Sequence, residues 1–221
     1  MPEIVKSCRA GEKKDPSMSV NRLPPDIDPE SLCRLPFPDP EGLDPESRET
    51  YDDLSDPAGI SLAGLRGPGG IRLHSPAVSN GLRPVNQYLR NPDVINARTR
   101  ELAILVTARE HDCEFEWAAH EAEARKEGVS EDVIETVRNS CSTVGLDEVD
   151  AAIIEFGREL FGCRQVTPET YARIDHLFDR RLLVDLVNLM GMYAMTAAVL
   201  IAFDAQLADR AATRLPARRR G

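Results

Sequence analysis

The sequence predicts an all-α protein. Three observations carry that prediction. Apolar residues recur at helical spacing through most of residues 75–207, helix-start residues followed by proline or acidic side chains punctuate the same stretch, and no run alternates apolar and polar as a half-buried strand would. With 221 residues, 42% hydrophobic and 29% charged, the chain is large enough for one domain with a sizeable core plus an arm.

Most of the 16 prolines fall within residues 1–57. Segments such as LPPDIDPESLCRLPFPDPEGLDPE cannot sustain long helices, because proline lacks the amide donor and restricts the residue before it. Residues 1–57 are therefore expected to form an extended proline-rich arm with little regular structure, wrapping the body or a neighbouring subunit. Within it a short helix is expected over 45–54, with Asp44 as N-cap and Pro45 at the first position. The stretch GLRGPGG that follows reads as a flexible connector. It lacks the lysine and the strand context of a phosphate loop and carries no nucleotide role.

Residues 58–208 read as a helical domain. Ser75-Pro76 opens a helix to about Leu89, which Asn91-Pro92 interrupts. Asn96 or Ala97 starts the next, through about Glu110, with Leu102, Leu105 and Val106 on one side. A helix over Cys113–Glu127 stops at Gly128, and Ser130 caps its successor ahead of Glu131 and Asp132. Asp147 caps a helix with Val149, Ile153, Phe156 and Leu160 on one face, ending at Gly162. Thr167-Pro168-Glu169 opens another, and a long apolar helix from about Arg181 to Leu207 closes the domain. Residues 209–221 read as a basic flexible tail holding Arg214, Arg218, Arg219 and Arg220.

A net charge of −10 argues against a broad nucleic-acid surface, which needs clustered Lys and Arg. The five cysteines, Cys8, Cys33, Cys113, Cys141 and Cys163, are widely spaced with no Cys-x-x-Cys pair, a pattern of reduced thiols. No apolar run of a secretory signal marks MPEIVKSCRAGEKKD, so a cytoplasmic location is expected. LVNLMGMYAMTAAVLIAF, residues 186–203, approaches the length of a membrane span. It contains Asn188 and is flanked by Asp185 and Asp204, so a core or subunit-interface helix is the expected reading, with no membrane partner.

The chemistry-bearing stretch is RTRELAILVTAREHDCEFEWAAHEAEARKEG, residues 98–128. On a helix, Cys113, Glu116, Trp117, His120 and Ala124 fall within roughly 100° of one another, while Glu114, Glu121 and Arg125 take the solvated side. A carboxylate at i can orient an imidazole at i+4 or divide acid and base roles with it. By spacing alone, a surface or packing pair is the ordinary reading of Glu116 and His120, and core packing that of Trp117. His111 and His120 lie on different faces with no third ligand at a recognised spacing, so no metal site is expected.

RTRELAILVTAREHDCEFEWAAH resembles the core motif of the carboxymuconolactone decarboxylase and alkylhydroperoxidase D-like superfamily. LHSPAVSNGLRPVNQYLR is similar to the preceding helix of that family, and DEVDAAIIEFGRELF and LVNLMGMYAMTAAVL to its later helices, so the likeness spans roughly residues 60–205. The resemblance implies an alkylhydroperoxidase D-like helical bundle. The peroxidase branch carries Glu, then Cys-x-x-Cys, then His; here the matching positions are Glu101, Cys113, Glu116 and His120, with glutamate in place of the second cysteine. One thiol cannot run a dithiol–disulfide cycle. The decarboxylase branch typically shows Glu-Tyr-Glu-Trp before the His, close to Glu114-Phe115-Glu116-Trp117 here.

The resemblance therefore implies cofactor-free acid/base chemistry on a small carboxylated lactone or related ring-cleavage product, by a lyase or isomerase. His120, held by Glu116, would protonate the carbanion left by CO₂. Glu101 would support the site from the adjacent helix, and Cys113 would keep a minor catalytic or packing place. Trp117, Arg98, Arg100, His74 and Tyr193 are the substrate-binding candidates, Asn188 a further pocket candidate, and a homo-oligomer (dimer, trimer or higher) is expected. A thiol peroxidase and a non-enzymatic ligand-binding member are the alternatives.

Overall fold

The computed structural model describes residues 23–59, 61–208 and 215–217. The basic cluster expected at Arg214, Arg218, Arg219 and Arg220 lies outside them, as do residues 1–22 of the arm. The described residues form α-helices and no strand.

The helices begin where local chemistry supplies an acceptor for the first exposed amides. In α1 (Pro45–Ser55) the Asp44 carboxylate accepts from the Ser47 amide, with Pro45 at the first position. α2 (Pro68–Arg72) and α3 (Pro76–Arg90) also start on proline. Asn96 caps α4 (Ala97–Glu110) by accepting from the Thr99 amide. α5 (Glu114–Lys126) and α6 (Glu131–Arg138) follow; Ser130 stands at the expected cap but its side chain makes no capping bond. Asp147 caps α7 (Glu148–Gly157), Thr167 caps α8 (Pro168–Leu177) and Asp179 caps α9 (Arg180–Ala202). Each such cap contributes about 1 kcal/mol.

Three elements differ from expectation. The connector is helical: Gly64–Arg66 is a 3₁₀ turn that runs into α2. A Cβ on Gly70 would lie 1.9 Å from the Leu65 carbonyl oxygen, so glycine there serves close packing. The helix after Asp147 becomes a π-helical turn over Arg158–Cys163. α9 stops at Ala202, because Asp204 takes a left-handed φ of 48° and turns the chain toward the arm.

α4 is the central helix, packed against α5, α6, α7 and α9. Residues 101–109 are buried in an unbroken run, so the expected single apolar side is replaced by burial all round. The core around it includes Leu102, Trp117, Ile154, Leu186 and Met190. Side chains of this size each stabilise the fold by ~1.5–3 kcal/mol when fully buried. α9 alone among the described helices has the length and composition of a membrane span, yet half of its apolar window is buried against the body.

The described part of the arm lies along its own body. Arg34 donates its amide to the Phe203 carbonyl at 2.9 Å, and the Gln206 amide donates to the Leu32 carbonyl at 2.8 Å. Cys33 packs with Ile71, Phe115, Ala197 and Leu200. α1 packs on α2 and α3, which sets residues 45–72 as one wall of the site.

Candidate active site

A cavity of about 560 Å³ opens between α1, α2, α3, α5 and α9. Glu116, Ala119 and His120 line it from α5, Met192, Tyr193 and Thr196 from α9, Arg90 from α3 and Arg72 from α2.

His120 is 4% exposed, and its two nitrogens face two carboxylates. Nδ1 lies 2.7 Å from Glu101 Oε2, and Nε2 lies 3.5 Å from Glu116 Oε2. The Tyr193 ring meets the imidazole edge-on at 5.2 Å between centroids. Glu101 sits behind the ring on α4, where the Arg100 guanidinium donates to its Oε1 at 3.1 Å. Burial opposes the charge on Glu101, but the bonds from His120 and Arg100 outweigh it and hold the carboxyl below its ordinary range. An ionised carboxylate only accepts, so Nδ1 carries the hydrogen and Nε2 is the working nitrogen of the neutral ring.

Glu116 is the opposite case. Its Oε2 is buried and has no hydrogen-bond partner among the described residues. Burial pushes its carboxyl above the ordinary range, against the pull of His120, Arg72 and Arg90. Two carboxyls flank one imidazole, and their surroundings push their proton affinities apart. Such a pair of environments suits one group to orient and the other to exchange a proton. Glu116 stands beside His120 as the spacing expected, and Glu101 makes the closer bond, because α4 passes directly behind α5.

The remaining candidates divide. Tyr193 and Arg100 line the cavity. Arg100 is tied to Glu101 and to the Arg90 carbonyl, and Tyr193 accepts a hydrogen bond from Arg90. Arg98 turns away and grips Asp150 with both terminal nitrogens, at 2.6 and 2.7 Å. Trp117 is fully buried, donates to Glu121 at 2.9 Å and carries the Arg138 guanidinium over its ring. One helical step, about 100°, separates it from Glu116 and turns it into the core. Glu121, expected on the solvated side, is 8% exposed and bonded to Arg125 and Arg138 as well as Trp117. His74 is exposed and meets the Pro36 carbonyl at 2.9 Å, tying down the arm. Asn188 is exposed and bonds the Val184 carbonyl.

Cys113 does not share the face of Glu116. Asp112 takes a left-handed φ of 50°, the helix starts at Glu114, and Cys113 is its N-cap. The thiol belongs to a second cleft of about 320 Å³ with Leu200, Asp204 and Gln206. Burial pushes its pKa up to about 12, which leaves almost no thiolate near neutrality.

Arg72 and Arg90 were not singled out by sequence reasoning. Arg90 ends an amphipathic helix and Arg72 follows a glycine-rich stretch, so neither has a spacing partner among chemical residues. No group of three or more His, Cys, Asp or Glu among the described residues is placed to hold a metal ion.

Residues 76–156 match the model of the Carboxymuconolactone decarboxylase family. The match contains Glu101, Cys113, Glu116 and His120, and excludes α1, α2 and α9. No curated protein matches the chain.

Proposed function

We propose, from the place of residues 76–156 in the Carboxymuconolactone decarboxylase family, that this chain is a lyase or isomerase. It acts by acid/base chemistry on a small carboxylated lactone or related ring-cleavage product. The observation that carries the reading is Glu116, buried without a hydrogen-bond partner beside a histidine already held by Glu101.

In the lyase form, the substrate carboxylate leaves as CO₂ and its bonding pair remains as a carbanion delocalised into the unsaturated lactone. Protonated His120 delivers the Nε2 proton to that carbon and becomes neutral, and a proton from solvent, passed by Glu116, restores it. In the isomerase form, His120 removes a proton from one carbon and returns it to another. Glu101 keeps the ring in the tautomer that presents Nε2. Every role falls to a side chain of the protein. The reduced-thiol cysteine pattern supports a cytoplasmic setting.

A thiol peroxidase has less support, since Cys113 lines another cleft and Glu116 occupies the position of the second thiol. The test is CO₂ release from a panel of carboxylated unsaturated lactones by the full chain. General acid/base groups contribute ~10²–10⁴-fold, so His120→Ala lowers kcat by that range and Glu116→Gln by at least ~10-fold. Undiminished turnover in both variants removes these residues from the mechanism.

A further inference from the structure

The cavity contains an arginine, Arg72, that is drawn out of water and held by a hydroxyl. Arg72 donates from Nη2 to Thr196 Oγ1 at 2.6 Å, and Thr196 in turn donates to the Met192 carbonyl at 2.9 Å. No carboxylate of the described residues ion-pairs with it. Of the other cavity arginines, Arg83 pairs with Asp53 at 2.8 Å and Arg100 with Glu101 at 3.1 Å, while Arg90 makes no ion pair among the described residues but is held on the Tyr193 hydroxyl beside His120. Arg72 feels the Glu116 carboxyl electrostatically, but burial disfavours the charge on Glu116 and weakens that compensation. Burial likewise lowers the pKa of Arg72, the mark of a guanidinium drawn out of water. A guanidinium has five donors in a planar fork, and one of these is engaged.

We propose that Arg72 is the carboxylate anchor of this cavity and that the wall formed by residues 45–72 selects carboxylate-bearing ligands. The inference rests on the preceding reading for placing substrate in the cavity. Arg72 lies ahead of the family-matched segment, on α2. Of the arginines that the resemblance offered for substrate binding, Arg98 is occupied by Asp150 and Arg100 by Glu101. Planar arginine forks bind carboxylate through two parallel hydrogen bonds. In a decarboxylation, charge leaves the departing carboxylate on the way to the transition state, so a firm ion pair there favours the ground state. Arg72 therefore suits a carboxylate that the product retains, and Glu116 and His120 face the reacting carbon.

The experiment is calorimetric titration of the full chain with γ-butyrolactone-γ-carboxylate and with its neutral methyl ester. Wild type binds the carboxylate more tightly than the ester. Arg72→Gln weakens the carboxylate about 10- to 100-fold, the value of a charged hydrogen-bonded pair, and leaves the ester unchanged. Arg72→Lys, which keeps charge without the fork, falls between. If Arg72→Gln does not fold by circular dichroism, Thr196→Val, which releases the positioning hydroxyl, shows the same carboxylate-selective loss. Equal affinity for acid and ester in wild type, absence of carboxylate binding, or an unchanged carboxylate Kd in the variants overturns the proposal. Carboxylate-selective loss without CO₂ release from any lactone keeps this inference and sinks the lyase reading. CO₂ release with unchanged KM in Arg72→Gln does the reverse.

Discussion

Glu101, Glu116 and Glu121 all lie on the hairpin of α4 and α5, all are buried, and their surroundings give them different work. Glu121 is neutralised by Arg125 and Arg138 and locks Trp117. Glu101 is bonded on both oxygens and held ionised, while Glu116 Oε2 has no hydrogen bond among the described residues and burial pushes its carboxyl toward the neutral form. The signs for stability follow. The raised Glu116 contributes stability below the ordinary glutamate pKa of about 4.3, and loses it as pH rises through its folded value. The Tm advantage of Glu116→Gln over wild type therefore grows in thermal melts as pH rises above the ordinary glutamate range. Glu101 is lowered and contributes stability above its ordinary pKa, lost as pH falls through the folded value. Glu101→Gln costs ~1.5–3 kcal/mol near pH 7 and less in acid, measured by denaturant titration. Its kcat falls ~10–100-fold, as for other groups that orient a working ligand or base. Cys113, pushed up to about 12, resists iodoacetamide at about pH 8, while exposed Cys141 and Cys163 react, by peptide mass spectrometry of the native chain. The Glu116/His120 pair was legible because i,i+4 spacing is local. The place of Glu101 on the adjacent helix came only with the family resemblance, since spacing does not say where α4 passes behind α5.

At the scale of elements, the caps were legible and the exceptions had tertiary causes. Asp44, Asn96, Asp147 and Thr167 each carry their own acceptor and need no outside help. The connector became helix because Gly64 to Gly70 allow backbone contact that no side chain would permit, a requirement invisible before α2 is in place. The start of α5 moved past Cys113 for a similar reason: the left-handed Asp112 redirects the chain, so a wheel drawn through Cys113 misplaces the thiol. Gly157 marks the crossing of α7 with α4 and α9, where a Cβ would meet Val106 Cγ1 at 2.4 Å and Met190 Cε at 2.7 Å. Gly157→Ala is expected to cost ~1–3 kcal/mol through overpacking, by denaturant titration. Gly81 in α3 has nothing within 4 Å, so Gly81→Ala is expected to stabilise by ~0.5–1 kcal/mol. Opposite signs at two helical glycines test the packing rather than the helix propensity.

At the scale of the whole molecule, the central placement of α4 sets one side of the site in the core, and the first helices close the other. Glu101 and His120 stand on α4 and α5, the most closely packed pair among the described helices, while α1 and α2 form the opposite wall from outside the family-matched segment. An all-α body with an apolar last helix could be read from the sequence. Which face of that helix is buried could not, since α9 is apolar nearly all round. The structure leaves Val184, Met195 and Ile201 exposed along it. The homo-oligomer expected from the sequence is tested on that stripe: light scattering of the full chain gives a mass above the monomer, and Val184→Glu with Met195→Glu lowers it. A monomeric wild type contradicts the expectation. Proton delivery by His120 to a substrate carbon is common to the lyase and the isomerase readings. Its most direct measurement is the deuterium content of product formed from a carboxylated unsaturated lactone in D₂O. The predicted result is deuterium at a single carbon with one stereochemistry, at a rate reduced ~10²–10⁴-fold in His120→Ala. Product of CO₂ loss with no deuterium, product with deuterium on both faces, or product formed at an unchanged rate without His120 would contradict it.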